Sequence, residues 1–189
     1  MSPVASDYLH LGCGLTTPPG WIHTDGSWQV VLARFPLMKR LLVRIGLISK
    51  NQADIPWSPD VLRLDLRKRL PFANNRFRVV YSSHTLEHLY RAEALALLKE
   101  CFRVLGADGV CRIVVPDVKR CIDRYLVAKN AGEPNAADQL MEHLRMHERS
   151  PVSGLFGLYR KLTSYHLHKW MYDADSLAGL MKEAGFYNV

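Results

Sequence analysis

At 189 residues, with 48% hydrophobic and 23% charged residues, the chain has the bulk properties of a globular protein with a substantial core. That excludes a disordered or low-complexity chain, and no apolar run reaches the roughly eighteen residues of a membrane span. The net charge of +7 favours anionic partners without choosing among a phosphorylated metabolite, a nucleic acid and a lipid surface.

"YLHLGCG" (8–14) is a short apolar run ending in glycines, which predicts a buried strand entering a tight turn. Cys13 in this loop, Cys101, Cys111 and Cys121 show no C-x-x-C spacing, so they read as reduced, mostly buried thiols of a cytoplasmic protein. The N-terminal residues lack the charged and apolar regions of a signal peptide. "WIHTD" (21–25) predicts a second strand ending on an acid. Residues 28–50 place Trp28, Val31, Phe35, Met38, Leu42 and Ile45 at helical spacing with basic residues between them. They predict a basic amphipathic helix or helix pair bent near Pro36. It reads as a covering helix, a lid or a lipid-surface helix.

"VLRLD" (61–65) predicts a third strand ending on an acid, and "FRVVYSS" (77–83) a fourth. Residues 91–105 place Leu95, Leu98, Phe102 and Leu105 on one helical face, with Gly106 and Gly109 as stop and turn. "VCRIVVPD" (110–117) predicts a fifth strand. Residues 118–166 read as a mostly helical insertion broken at "GEPN" (132–135) and "SPVSG" (150–154). Near the C-terminus, Asp173 is a cap, Leu177, Leu180 and Met181 form an apolar face, and Gly185 is a stop.

Short apolar strands alternating with helices predict a single α/β domain over residues 1–189. Its sheet would be mostly parallel, doubly wound and Rossmann-like, with helices on both faces. Such sheets bind ligands beyond the carboxyl ends of their strands. The chemistry-bearing residues fall there: Gly12 and Gly14, Asp25, Asp65, Ser83 with His84, and Asp117. Glycines allow close approach of a ligand to the backbone, or simply turn the chain. Asp25 suits two vicinal ribose hydroxyls and Asp65 an adenine amino group; each also suits a local cap.

These blocks, with "LPFANNRFRVVYSSHTLEHL", "LLKECFRVLGADGVCRIVVPD" and "HKWMYDADSLAGLMKEAGF", resemble the class I S-adenosylmethionine-dependent methyltransferases. They look most like the type 11 group, including small bacterial members associated with polysaccharide biosynthesis. The likeness excepts residues 28–58 and 118–166. It implies S-adenosyl-L-methionine as cofactor, with Gly12, Cys13 and Gly14 at its methionine end. It further implies Asp25 on the ribose, Asp65 and Leu66 flanking the adenine, and Ser82, Ser83 and His84 near the sulfonium and the acceptor.

The chain departs from the family pattern at several points. His10 stands where an acid is usual, no third glycine follows Gly14, "RVLGADG" replaces a Pro-Gly-Gly turn, and Arg78 follows Phe77 where an acid is common. The chain also reaches Val189 where a sixth strand should begin. We therefore expect missing C-terminal strands, as in a natural fragment or shortened chain, and a fifth-strand edge covered by the insertion or by a second copy in a homodimer.

His84-Thr-Leu-Glu87-His88 also fits H-x-x-E-H, a zinc-peptidase pattern. That pattern needs both histidines on one helical turn, whereas His84 follows a strand directly. Leu86 and Leu89 are expected under the sheet, Glu87 and His88 near the rim, and no metal is expected. His84 is the first candidate for a general base and Asp117 the second. His166, His168, Lys169 and Trp170 would contact a small-molecule or saccharide acceptor, although Trp170 also suits the core. A methyltransferase-like binding module without catalysis is the alternative. Nucleic acid fits poorly, because basic residues are dispersed and no aromatics interleave with them.

Overall fold

The computed structural model describes residues 6–147 and 167–189. The chain forms two compact units. The first comprises the residues up to Ser83 together with Glu100–Ile113; the second comprises His84–Lys99 and the residues from Val114 onward.

The first unit is built on a five-stranded sheet in the order β3-β2-β1-β4-β5, the Rossmann-like arrangement. Its strands are β1 (Tyr8–Leu11), β2 (Ile22–Asp25), β3 (Leu62–Arg63), β4 (Phe77–Ser83) and β5 (Leu105–Val114). β1 pairs in parallel with β2 and with β4, and β2 with β3. Backbone bonds from Arg76 N to Val104 O (2.8 Å) and from His84 N to Val114 O (2.9 Å) show that β5 also runs parallel to β4. Leu9, Leu11, Phe77 and Val80 are buried along the central strands. This is why β1 and β4 read as apolar runs and not as strict alternations.

Three expected elements differ. The third strand is two residues long, because residues after Arg63 turn away after a single bond from Leu64 N to Asp25 O (3.0 Å). The fifth strand starts at Leu105, directly after helix α4 (Arg91–Val104). Gly106 and Gly109 lie inside that strand, and neither is among the positive-φ glycines. Gly109 relieves crowding instead: a Cβ there would sit 2.6 Å from the Leu105 side chain. The buried face of α4 is Ala94, Leu97, Leu98, Cys101 and Val104, while Phe102 is 43% exposed. The expected face was thus rotated, since small residues Ala94 and Cys101 carried no weight in the apolar pattern.

The basic segment is three short helices: α1 (Gln29–Ala33), α2 (Pro36–Arg44) and α3 (Lys50–Ala53). Pro36 opens α2 at its first turn, where a missing N–H costs nothing. Leu32, Ile48 and Ala53 form a small core with Leu42 and Val43 against it. Cys13, Val30 and Val61 form another, covered by Trp57. Arg34 donates to the carbonyls of Pro59 (3.0 Å) and Val61 (2.9 Å), fixing α1 to the approach to β3.

In the second unit, α5 (Val118–Asn130) and α6 (Ala136–Leu144) are separated by the expected break, with Gly132 at positive φ. "SPVSG" and His166 lie outside the described residues. The helix Ala174–Glu183 is closed by reciprocal Asp173–Ser176 bonds and by Gly185 at φ +113°, as its sequence predicts. Among the described residues no helix is long and apolar enough to cross a membrane.

Candidate active site

The carboxyl ends of four neighbouring strands meet on one crest of the first unit. Gly12 and Gly14 adopt φ of +63° and +54°, a conformation that favours glycine. Cys13 N donates to Thr24 O at 2.9 Å, binding the loop to β2. Asp25 closes the arrangement. One carboxylate oxygen accepts Gly14 N–H at 3.0 Å and the other accepts Ser27 N–H at 2.8 Å. Asp65 follows the next strand over, since Asp25 is in register with Arg63. Ser82 is in register with Leu11, beside the start of the glycine loop, and is buried. Gly12, Cys13, Gly14, Asp25, Asp65, Leu66, Ser82 and Ser83 therefore share one end of one sheet.

Each residue also has a local job. Asp65 takes both nitrogens of the Arg67 fork at 2.8 Å and the Arg67 N–H at 3.1 Å. The guanidinium beside it holds its carboxyl below the usual range. Cys13 is buried, and burial followed by the charge of Asp25 pushes its thiol up to about 12. It contributes backbone and apolar surface, not a thiolate. Leu66 is buried.

His10 explains one departure from the family pattern. It is 4% exposed and packs its ring against Tyr81 (5.0 Å between centroids), His23 (5.5 Å) and Trp21 (6.2 Å). Burial, reinforced by His23, lowers its pKa against an opposing pull from Asp25. A cluster of tilted and edge-on rings occupies the place of the usual acid.

Arg103 and Glu100 tie two sequence blocks together. Arg103 grips Glu100 with two bonds (2.8 and 2.7 Å) and donates to the Leu70 and Phe72 carbonyls (3.0 and 2.8 Å) and to Asn74 Oδ1 (2.8 Å). Glu100 accepts Leu70 N–H at 2.8 Å. The "RVL" arginine thus pins the "LPFANN" loop that leads into β4.

In the second unit, His84 has φ +52° and a side chain 66% exposed, with Nδ1 3.4 Å from Glu87 Oε1. Leu86 and Leu89 are buried as expected, in and just after a 3-10 turn (Leu86–His88). Glu87 is not a rim residue: it is fully buried, and burial raises its carboxyl pKa against the pull of His88 and His84. The apolar face drawn for "LEHL" left no reason to place a carboxylate inside.

Asp117 caps α5 through Lys119 N–H (2.9 Å) and bridges to Tyr172. Lys169 and Trp170 donate their backbone N–H groups to Glu87 O at 2.7 and 3.2 Å. Trp170 is 43% exposed and not in the core, whereas His168 is buried.

Residues 9–113 match the methyltransferase domain family. The chain belongs to that family. A proposed methyltransferase of Bacillus halodurans has the same fold, with 14% identity and a TM-score of 0.50 over 95% of this chain. The chain spans 62% of the length of that protein. An S-adenosylmethionine-dependent methyltransferase from Mesorhizobium loti aligns with 99% of this chain and 77% of its own, at 14% identity and a TM-score of 0.49. No curated protein sequence matches the chain. The methyltransferase domain match includes His84 and His88 and ends at the last residues of β5, so His168 lies outside it.

Proposed function

We propose that this methyltransferase-family chain transfers a methyl group from S-adenosyl-L-methionine to a small-molecule or saccharide acceptor in the cytoplasm, in polysaccharide biosynthesis. The observation that carries the reading is the Asp25–Gly14 bond on the sheet crest (3.0 Å). The residues suit the cofactor. A Cβ on Gly14 would meet nothing within 4 Å, so the space before the loop is open. Each Asp25 oxygen receives one backbone donor, leaving lone pairs for ribose hydroxyls. Gly12, Cys13 and Gly14 would hold the amino-acid end by backbone, Asp65 and Leu66 would border the adenine, and Ser82 and Ser83 would lie near the reacting end.

When bound, the cofactor supplies a methyl group already activated on sulfur, leaving the protein to align the acceptor and keep water away. His84 is the candidate proton acceptor for a hydroxyl. Its Nδ1 faces the Glu87 carboxylate, so Nε2 is the nitrogen left for an acceptor. Asp117 ranks second because its Oδ1 is engaged as a helix cap. Exposure of Trp170 supports a role in acceptor contact, together with Lys169 and His166; the buried His168 suits that role less.

Asp65, locked to Arg67, favours a second reading: a methyltransferase-like binding module without catalysis. Calorimetry with S-adenosylmethionine and S-adenosylhomocysteine tests the cofactor; heat that saturates with one equivalent is expected, and none at high micromolar concentration overturns the proposal. Radiolabelled methyl transfer to a panel of phosphorylated and lipid-linked sugars separates enzyme from binding module.

A further inference from the structure

We propose that Glu87, His88 and His168 form a site for one divalent transition-metal ion of the zinc class, independent of the methyl-transfer reading. One donor atom from each lies within 4.8 Å of the other two. Glu87 is fully buried, and neither carboxylate oxygen has a hydrogen-bond partner. His84 Nδ1 stands 3.4 Å and His88 Nε2 4.0 Å from Glu87 Oε1. A carboxylate buried without partners is costly unless something compensates it. A cation would.

The two imidazoles are prepared as ligands. His88 Nδ1 lies 3.1 Å from the carbonyl of Leu167. A carbonyl only accepts, so Nδ1 carries the hydrogen and Nε2 keeps its lone pair. The buried Nδ1 of His168 has no hydrogen-bond partner. Metal-bound histidines characteristically donate their second ring nitrogen to a carbonyl or carboxylate, which fixes tautomer and ring orientation. His88 does so here through Leu167, and the two ring centroids are 5.1 Å apart. Burial is the main cause lowering both imidazole pKa values, and the charge of Arg145 adds to it; this favours the neutral ligand form.

Backbone geometry holds the set. His88 and Glu87 share the 3-10 turn, and His168 is delivered by its own N–H to Arg145 O (3.0 Å) and by the Lys169 N–H to Glu87 O (2.7 Å). Bonds of about 2.0–2.2 Å would draw donors to roughly 3.3 Å from one another, a small side-chain adjustment. Two imidazoles and one carboxylate suit zinc, cobalt or iron, and leave a fourth position open. The H-x-x-E-H pattern is thus used differently from the peptidase arrangement: its second histidine and its glutamate join a distant histidine, and His84 stands outside the three.

Chelator-treated full-length protein, titrated with cobalt(II) alone and with zinc alone, tests this. Expected are one equivalent bound, tetrahedral cobalt absorption in the visible and a zinc-dependent rise in Tm. Glu87→Gln and His168→Ala should each weaken binding on the order of a hundredfold or more, whereas the exposed His143→Ala should leave it unchanged. Glu87→Gln should also keep or raise the Tm of the metal-free protein, since it removes a buried charge, so loss of binding cannot be ascribed to unfolding. Absence of stoichiometric binding, or binding that survives both ligand variants, overturns the proposal.

Discussion

The carboxylate of Asp25 accepts the backbone N–H of Gly14 at 3.0 Å. A side chain at the end of β2 therefore sets the shape of the loop at the end of β1. Asp25→Asn keeps an oxygen for Gly14 but removes the charge. Replacing a charged acceptor should weaken S-adenosylhomocysteine binding by roughly 1.5–3 kcal/mol, about tenfold to a hundredfold. Calorimetry on the variant checks this; unchanged affinity would remove Asp25 from the cofactor site.

Arg103 joins the Leu70 and Phe72 carbonyls and Glu100 in one network with little solvent exposure. Arg103→Ala leaves Glu100 and two carbonyls without this donor and should lower stability by about 3 kcal/mol. Arg103→Lys restores the charge but not the planar fork, and should recover only part of the loss. Urea unfolding of both variants decides; full rescue by lysine would mean that charge alone matters.

His10 gives stability a defined pH dependence. Burial lowers its folded pKa below the ordinary 6.5, so between that lowered value and about pH 6.5 the unfolded chain binds more protons. Its contribution to stability is complete above pH 6.5 and is lost as pH falls. His23 and Asp25 face it with opposite effects, and burial dominates. His10→Gln should show a shallower acid-side fall in Tm than the parent chain. His88, His168 and Glu87 titrate in both proteins, so the difference between the curves isolates His10. Parallel curves would refute the assignment.

Helix α2 buries no residue. Leu37, Leu41 and Met38 are 77%, 56% and 49% exposed, and Lys39, Arg40 and Arg44 accompany them. This combination suits an anionic lipid surface. Cosedimentation with vesicles containing phosphatidylglycerol should be measurable at low salt and fall as salt rises. Leu37→Asp with Leu41→Asp should abolish it. No cosedimentation of the parent chain would leave α2 as a plain covering helix.

Local chemistry made much of this protein legible from its sequence. The apolar runs at β1, β2 and β4, the turn glycines at 12 and 14, the break near Pro36, and the Asp173 and Gly185 boundaries depend on neighbours within a few residues. So does the placing of Asp25 at a strand end, whereas Asp65 lies two residues beyond β3. Family membership follows from those same short blocks.

Tertiary structure decided what depends on distant partners. The length of β3 is set by how long β2 accompanies it. The buried face of α4 was chosen by packing of small residues that pattern alone ignores. Arg103 finds carbonyls some thirty positions away. The burial of Glu87 beside His168 was invisible in "HTLEH", because a motif specifies spacing along the chain and only folding specifies which groups lose water together.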